Sequence, residues 1–167
     1  LNISKQDIGK EGYAILVEGY MDAISLYQGG VRNVAASLGT ALTENQTRLL
    51  KRYTKNVVLS YDADGAGQNA AMRGSEILIK DDCKVKVLHV TDGKDPDEFI
   101  KKFGADAFRL RLDDSENQFD YRCSTVIASH DLEDFNDRMA CIAELTALLA
   151  TLHTDVERDV YIGRISE

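Results

Sequence analysis

Seven carboxylates fall just beyond short apolar runs or one helical turn from such a position, a placement suited to holding hard cations. Glu18 follows Ala14-Ile15-Leu16-Val17, and Asp22 comes one helical turn later. Asp62 and Asp64 follow Asn56-Val57-Val58-Leu59-Ser60-Tyr61. Asp92, Asp95 and Asp97 lie beyond the run Val85 to Val90. Oxygen ligands of this type suit Mg2+, which usually keeps several waters and needs only two or three carboxylates. Such ions accelerate phosphoryl transfer by activating the attacking oxygen and stabilising the leaving one. Without a cation, converging carboxylates repel, and some should hold protons through raised pKa values.

Each acid also has a plainer reading. An Asp at the end of a strand commonly caps a helix or makes a turn. Asp-x-Asp-Gly occurs in calcium loops, but the later ligands and closing Glu of an EF-hand are missing here. Three acidic groups after three separate strands are far less expected by accident than any one of them. Gly65 and Gly67 permit tight turns and close approach of a phosphate, and a helix opening near Gly67 would aim its free N–H groups the same way. Other residues carry less. His89 sits within a strand pattern and reads as structural, while His130 and His153 lie in an acidic helical section. No Ser or Cys has the company of a nucleophile. Arg32, Arg48, Lys51, Arg52 and Lys55 could meet phosphates, but the plain reading is solvated helix faces. Tyr20 and Tyr61 read as packing residues.

To bring these acids together the chain must form an open sheet. Ala14–Val17, Val31–Ala36, Asn56–Tyr61 and Val85–Val90 read as strands. Tyr20–Gln28 reads as a helix stopped by Gly29-Gly30, and Thr43 with Gln46 forms a capping box for the next. A third helix runs from about Gly67 to Lys80. A fourth begins at Pro96, a residue at home in a first helical turn, and carries Phe99, Ile100 and Phe103. Strands alternating with helices predict an α/β fold with a parallel sheet flanked by helices. The ends of all its strands would lie on one edge, where ligands bind. From Ser115 on, only helices are expected: Phe119, Val126 and Ile127 mark one. Phe135, Met139, Ile142, Leu145, Leu148 and Leu149 mark a second, and Val156, Val160 and Ile165 a third.

Charge changes with this pattern. Residues 1–112 hold 16 Lys/Arg and 15 Asp/Glu, a net of +1, and residues 113–167 hold 4 Arg and 13 Asp/Glu, a net of -9. The expected division is therefore 1–112 and 113–167. With the seven clustered acids set aside, the first part is basic enough to favour phosphates, whereas the acidic part should repel nucleic acid. Cys83, Cys123 and Cys141 are widely spaced, which argues against zinc and suits reduced thiols in a cytoplasmic protein. No apolar run approaches the roughly 20 residues of a membrane helix. Leu1 does not read as a natural start, so a piece of a longer protein is expected.

At these residues the chain resembles a known family. Val17-Glu18-Gly19-Tyr20-Met21-Asp22 resembles a motif of bacterial replicative DNA primases. Ser37-Leu38-Gly39-Thr40-Ala41-Leu42-Thr43, Tyr61-Asp62-Ala63-Asp64-Gly65-Ala66-Gly67-Gln68 and Gly93-Lys94-Asp95-Pro96-Asp97-Glu98 match its next three motifs, in order. The resemblance covers roughly residues 14–103. It implies a Toprim (Rossmann-like) domain followed by a small helical bundle, in an enzyme that copies single-stranded DNA into RNA primers from NTPs. It further implies Glu18, Asp62 and Asp64 as the central acids, Mg2+ or Mn2+ held by them with Asp95, and Asp22, Asp92 and Asp97 in support. Gly39, Thr40, Gly65, Gly67 and Lys94 would serve phosphate, nucleotide or loop geometry. A replicative helicase would be a partner through a module absent from this chain, and a monomer is expected. Competing readings are a topoisomerase-like or nuclease-like Toprim enzyme, a phosphatase using Asp-x-Asp-Gly, and a non-enzymatic scaffold.

Overall fold

Strands buried on both faces need helices above and below them, and the chain supplies both. The computed structural model describes residues 1–38, 42–88, 90, 93–152 and 154–165. The chain divides into two compact units, Leu1–Gln118 and Phe119–Glu167.

The first unit runs α1 (Lys5–Glu11), β1 (Ala14–Val17), α2 (Tyr20–Gln28), β2 (Val34–Ala36), α3 (Glu44–Lys51), β3 (Asn56–Leu59), α4 (Gly65–Lys80), β4 (Lys84–Val87), α5 (Pro96–Asp113) and β5 (Glu116–Asn117). The sheet order is β2-β1-β3-β4-β5. β1 to β4 are parallel, with Leu16 opposite both Ala35 and Leu59, and β5 is antiparallel to β4. The chain leaves β1 toward β2 on one side and β3 toward β4 on the other. A crevice therefore opens between the C-terminal ends of β1 and β3, the switch point at which such sheets bind ligands.

One face of the sheet carries Ile15, Val17, Val34 and Val58 against Leu26 of α2 and Phe99, Ile100, Phe108 and Leu112 of α5. Full burial of a side chain such as Phe108 contributes about 1.5–3 kcal/mol relative to exposure. On the other face α4 meets Leu59 and Tyr61 near Gly74. α5 is two helices in sequence, broken at Gly104, whose φ of 81° is open to glycine at little cost. The capping box forms as expected, with Gln46 N donating to Thr43 Oγ1 at 3.3 Å and Thr43 N to Gln46 Oε1 at 2.9 Å.

β1 and α2 match their expected bounds, but β2 begins at Val34 rather than Val31. Val31 N instead donates to Leu26 O at 2.9 Å, closing α2, so its backbone is not free to pair. β3 and β4 stop at Leu59 and Val87, short of Tyr61 and Val90. β5 went unanticipated because two residues show no alternation. It keeps Glu116 and Asn117 on the sheet, so the first compact unit runs past the charge break at Asp113 to Gln118.

The second unit holds α6 (Gln118–Ala128), α7 (Phe135–Leu149) and α8 (Asp155–Ile165). Its core is Phe119, Cys123, Cys141, Leu145 and Leu148, with the Phe119 ring tilted against that of Tyr161 at 4.3 Å between centroids. The apolar stripe of α7 is buried only in its second half. Phe135, Met139 and Ile142, in its first half, are exposed. All three cysteines are free and buried. No described helix is long and apolar enough to cross a membrane.

Candidate functional site

The crevice between β1 and β3 gathers the acids that end those strands. Glu18 leaves β1 with its backbone held by the segment just past β2: Leu38 N donates to Glu18 O at 3.0 Å, from a left-handed φ of 67° unusual for a non-glycine residue. Glu18 Oε1 accepts the backbone N–H of Asp62 at 3.4 Å, a long contact that still joins the two strand ends. Gly67 packs against both. A Cβ there would lie 2.2 Å from Asp62 O and 2.9 Å from Glu18 Oε1, so no side chain fits without displacing the crevice. At Gly65 a Cβ would meet open space, so only Gly67 is required on steric grounds.

Asp64 and Asp95 do what strand-end aspartates ordinarily do. Asp64 caps α4 by accepting Gly67 N at 2.7 Å, and Asp95 caps α5 by accepting Glu98 N at 2.7 Å. Capping uses Oδ1 of each and holds both residues near the crevice. Ala63 N donates to Lys94 O at 3.2 Å, tying the Asp62–Asp64 loop to the Lys94–Asp95 loop. Lys94 acts here through its backbone, its N–H donating to Glu98 Oε2 at 2.9 Å. Asp22, buried, accepts Gly19 N at 3.1 Å and Asp97 N at 3.3 Å, which links the starts of α2 and α5.

Electrostatics single out Asp62. Its carboxyl is raised to about 6, first by burial and then by Glu18, Asp22, Asp95 and Asp64. Burial likewise lifts Glu18 and Asp22, opposed by the backbone N–H groups each accepts. Asp97 goes the other way, lowered by Lys101 and Ser25. The Asp62 Oδ1 atom is buried with no hydrogen-bond partner among the described residues. Leaving such an oxygen unmatched costs about 1–3 kcal/mol or more. A divalent cation would satisfy it, and an oxygen-only donor set fits magnesium or manganese.

The arrangement is more open than a cage. Among the described residues, no three acidic, histidine or cysteine side chains are close enough to hold an ion by themselves. An ion here would complete its shell with water or substrate oxygen, as magnesium usually does. Asp92, Gly39, Thr40, His89 and His153 lie outside the described residues.

Sequence reading overlooked Ser25 and Lys101, whose polar ends meet Asp97. Ser25 lies one turn after Asp22 on the same helix face, a spacing that could have flagged it. Of the tyrosines, Tyr61 is buried as expected, while Tyr20 is exposed rather than packed. Of the basic residues weighed for phosphate, Arg48 meets Glu44 at 3.3 Å and Lys51 meets Asp82 at 3.9 Å.

Known proteins share this fold. A family model described as Toprim-like matches residues 15–100, and one described as the DnaB-helicase binding domain of primase matches residues 119–167. The second match falls within this chain, whereas the expectation was of a helicase-binding module outside it. The acid-rich composition of those residues carried no sign of it. The DNA primase of Clostridium acetobutylicum is 46% identical over 153 residues, which is 92% of this chain and 26% of that protein. The chain thus spans about a quarter of the length of the curated relatives it matches. Among solved structures, the Aquifex aeolicus primase (zinc-binding and RNA polymerase domains) superposes with a TM-score of 0.73 at 35% identity, over 97% of this chain and 38% of that one. The RNA polymerase domain of Mycobacterium tuberculosis primase DnaG, in complex with double-stranded DNA, gives 0.81 at 26% identity, over 99% and 54%.

Proposed function

We propose, on the premise that this chain belongs to the Toprim-like family and within it to the bacterial DnaG-type DNA primases, that it is the catalytic, metal-binding part of an enzyme making RNA primers. That enzyme would copy single-stranded DNA from NTPs by two-metal nucleotidyl transfer, at the replication fork in the cytoplasm. The single observation that carries the reading is Asp62, a carboxylate with an unmatched buried oxygen at the switch point, raised first by burial and then by four neighbouring acids.

Asp62 is assigned as the central ligand for Mg2+ or Mn2+, with Glu18, Asp64 and Asp95 contributing the oxygens that caps and backbone contacts leave open. The ions, when bound, would activate the attacking oxygen of the primer end and stabilise the leaving pyrophosphate. The chain's own part is positional. Gly67 keeps Asp62 and Glu18 in contact, Asp64 and Asp95 anchor the two loops, and Gly65, Gly39, Thr40 and Lys94 are assigned to phosphate or loop geometry. Asp22, Asp92 and Asp97 support the cluster. Template, NTPs and RNA primer would meet this unit rather than the acidic helices, whose charge repels phosphate.

Manganese titrated into the chain, followed by calorimetry or paramagnetic resonance, tests the reading. Saturable binding that Asp62→Asn removes is expected, and a flat titration would overturn it. Spanning only a quarter of its relatives, the chain should make little or no RNA unaided, so robust primer synthesis by the purified chain would contradict this assignment. The other Toprim chemistry, DNA cleavage, has less support because the relatives found are primases. Metal-dependent nicking without primer synthesis by the complete protein would favour it. A helicase contact within residues 119–167 is proposed from the family match, and retention of that segment on immobilised replicative helicase is the check.

A further inference from the structure

We infer that Ser25 is a positioning residue for the acidic edge, holding Asp97 and through it the first turn of α5, so that Asp95 stays beside Asp62. The inference rests on the metal-binding reading proposed above.

Asp22 and Ser25 lie three residues apart on α2, a spacing that puts both on the side facing α5. Both are buried. Asp22 Oδ1 accepts the backbone N–H of Asp97 at 3.3 Å. The Ser25 hydroxyl donates to Asp97 Oδ1, and Lys101 Nζ meets Asp97 Oδ2 at 2.6 Å. Asp97 is therefore held at its backbone and at both carboxylate oxygens. It sits two residues beyond Asp95, whose Oδ1 caps the same turn by accepting Glu98 N at 2.7 Å. Fixing Asp97 against α2 thus fixes the cap.

The two partners of Asp97 are unequal. Lys101 is 61% exposed, so water and salt weaken its pull. Ser25 is buried, and no water easily replaces its hydroxyl when that is removed. A hydrogen bond to a charged group at such a place contributes more than a neutral one. Further along, Ile100 lies so close to Gly29 that a Cβ there would be 2.7 Å from Cγ1, so α2 and α5 cannot readily slide to compensate.

The test compares the chain with Ser25→Ala and Ser25→Thr, using amide hydrogen exchange and manganese titration. In Ser25→Ala, exchange at Asp97 and Glu98 should rise about tenfold or more, the loss expected of one charged hydrogen bond. Manganese half-saturation should rise severalfold, while exchange in the strands stays unchanged. Ser25→Thr, which keeps the donor, should restore both. Unchanged exchange at Asp97 and Glu98, a rise spread equally over the strands, or no rescue by threonine would each overturn the inference. If the unsubstituted chain binds no manganese, the metal reading fails, and exchange at those two amides still decides the role of Ser25.

Discussion

Asp62 in the sheet unit and Asp137 in the helical unit are the same side chain under opposite electrostatic conditions. Asp62 is surrounded by Glu18, Asp22, Asp64 and Asp95, and burial with these charges pushes its carboxyl up to about 6. Asp137 is lowered, first by its hydrogen bond to His130, at 2.7 Å, and then by the backbone N–H of Asp131. The pattern extends beyond the pair. In the helical unit Asp120 meets Arg164 at 3.1 Å and Asp155 meets Arg158 at 2.8 Å. The helical part is far more acidic, yet several of its acids meet cations, while the nearly neutral sheet part gathers Glu18, Asp22, Asp62, Asp64 and Asp95 at one edge with no ion pair among the described residues. Acid content does not make a site. Convergence without a partner does, because only unmatched carboxylates gain more from a cation than from leaving things as they are.

The contrast is tested most severely by removing the two carboxylates. Asp62→Asn in the complete primase should lower primer synthesis by roughly 100- to 1000-fold or more, on the scale of losing a principal transition-state stabiliser. It should leave metal-free thermal stability equal or higher, since a repelled charge is gone. Asp137→Asn should do the reverse, weakening the helical unit without changing manganese binding. Activity assays and thermal unfolding of both variants would show whether the effects cross over.

Core truncation should separate the units at a smaller scale. Leu145→Ala should cost the helical unit about 2–5 kcal/mol in denaturant unfolding, as large-to-small core changes do, and leave manganese affinity alone. Gly67→Ala should cost about 1–3 kcal/mol of strain and weaken manganese binding as well, because the added methyl meets Asp62 O at 2.2 Å. Gly65→Ala, with nothing within 4 Å of its Cβ, is the matched control and should be close to neutral.

The smallest effects are the pH dependences, which fall in different windows. The folded-state carboxyl of Asp62 lies at about 6 against an ordinary 3.8, so the folded chain binds the proton more tightly. Metal-free stability should therefore fall as pH rises from about 4 to about 6, and Asp62→Asn should remove that slope. His130 is raised above 6.5 by Asp137 and Glu144. Its contribution is complete below 6.5 and lost as pH rises through the higher folded value. His130→Gln should abolish this loss. Urea midpoints measured across pH 4 to 9 would resolve both.

Much of the sheet unit is legible in the linear sequence. The apolar run at β1, the helix Tyr20–Gln28, the Thr43–Gln46 box and Pro96 at the head of α5 depend on neighbours within a turn or a strand, and each appears where the pattern places it. What was misjudged has two kinds of cause: β5 exists only because a distant strand, β4, offers an edge to it, whereas Val31 is kept out of β2 by a local bond, its N–H taken by Leu26 O at the end of α2. The half-exposed stripe of α7 has the right period, but period alone does not say how much of a stripe finds cover.

The acids themselves, their order and their positions just past strands are properties of the chain, set by local propensity and visible before folding. That Glu18 and Asp62 become neighbours follows from β1 pairing with β3, with Leu16 opposite Leu59. Strand order is a choice among long-range pairings of similar local appearance. The same holds for Ser25, an ordinary helical serine until α5 brings Asp97 against it. Local patterns carry periods of two and 3.6 residues, and no such period encodes which distant segment will lie alongside.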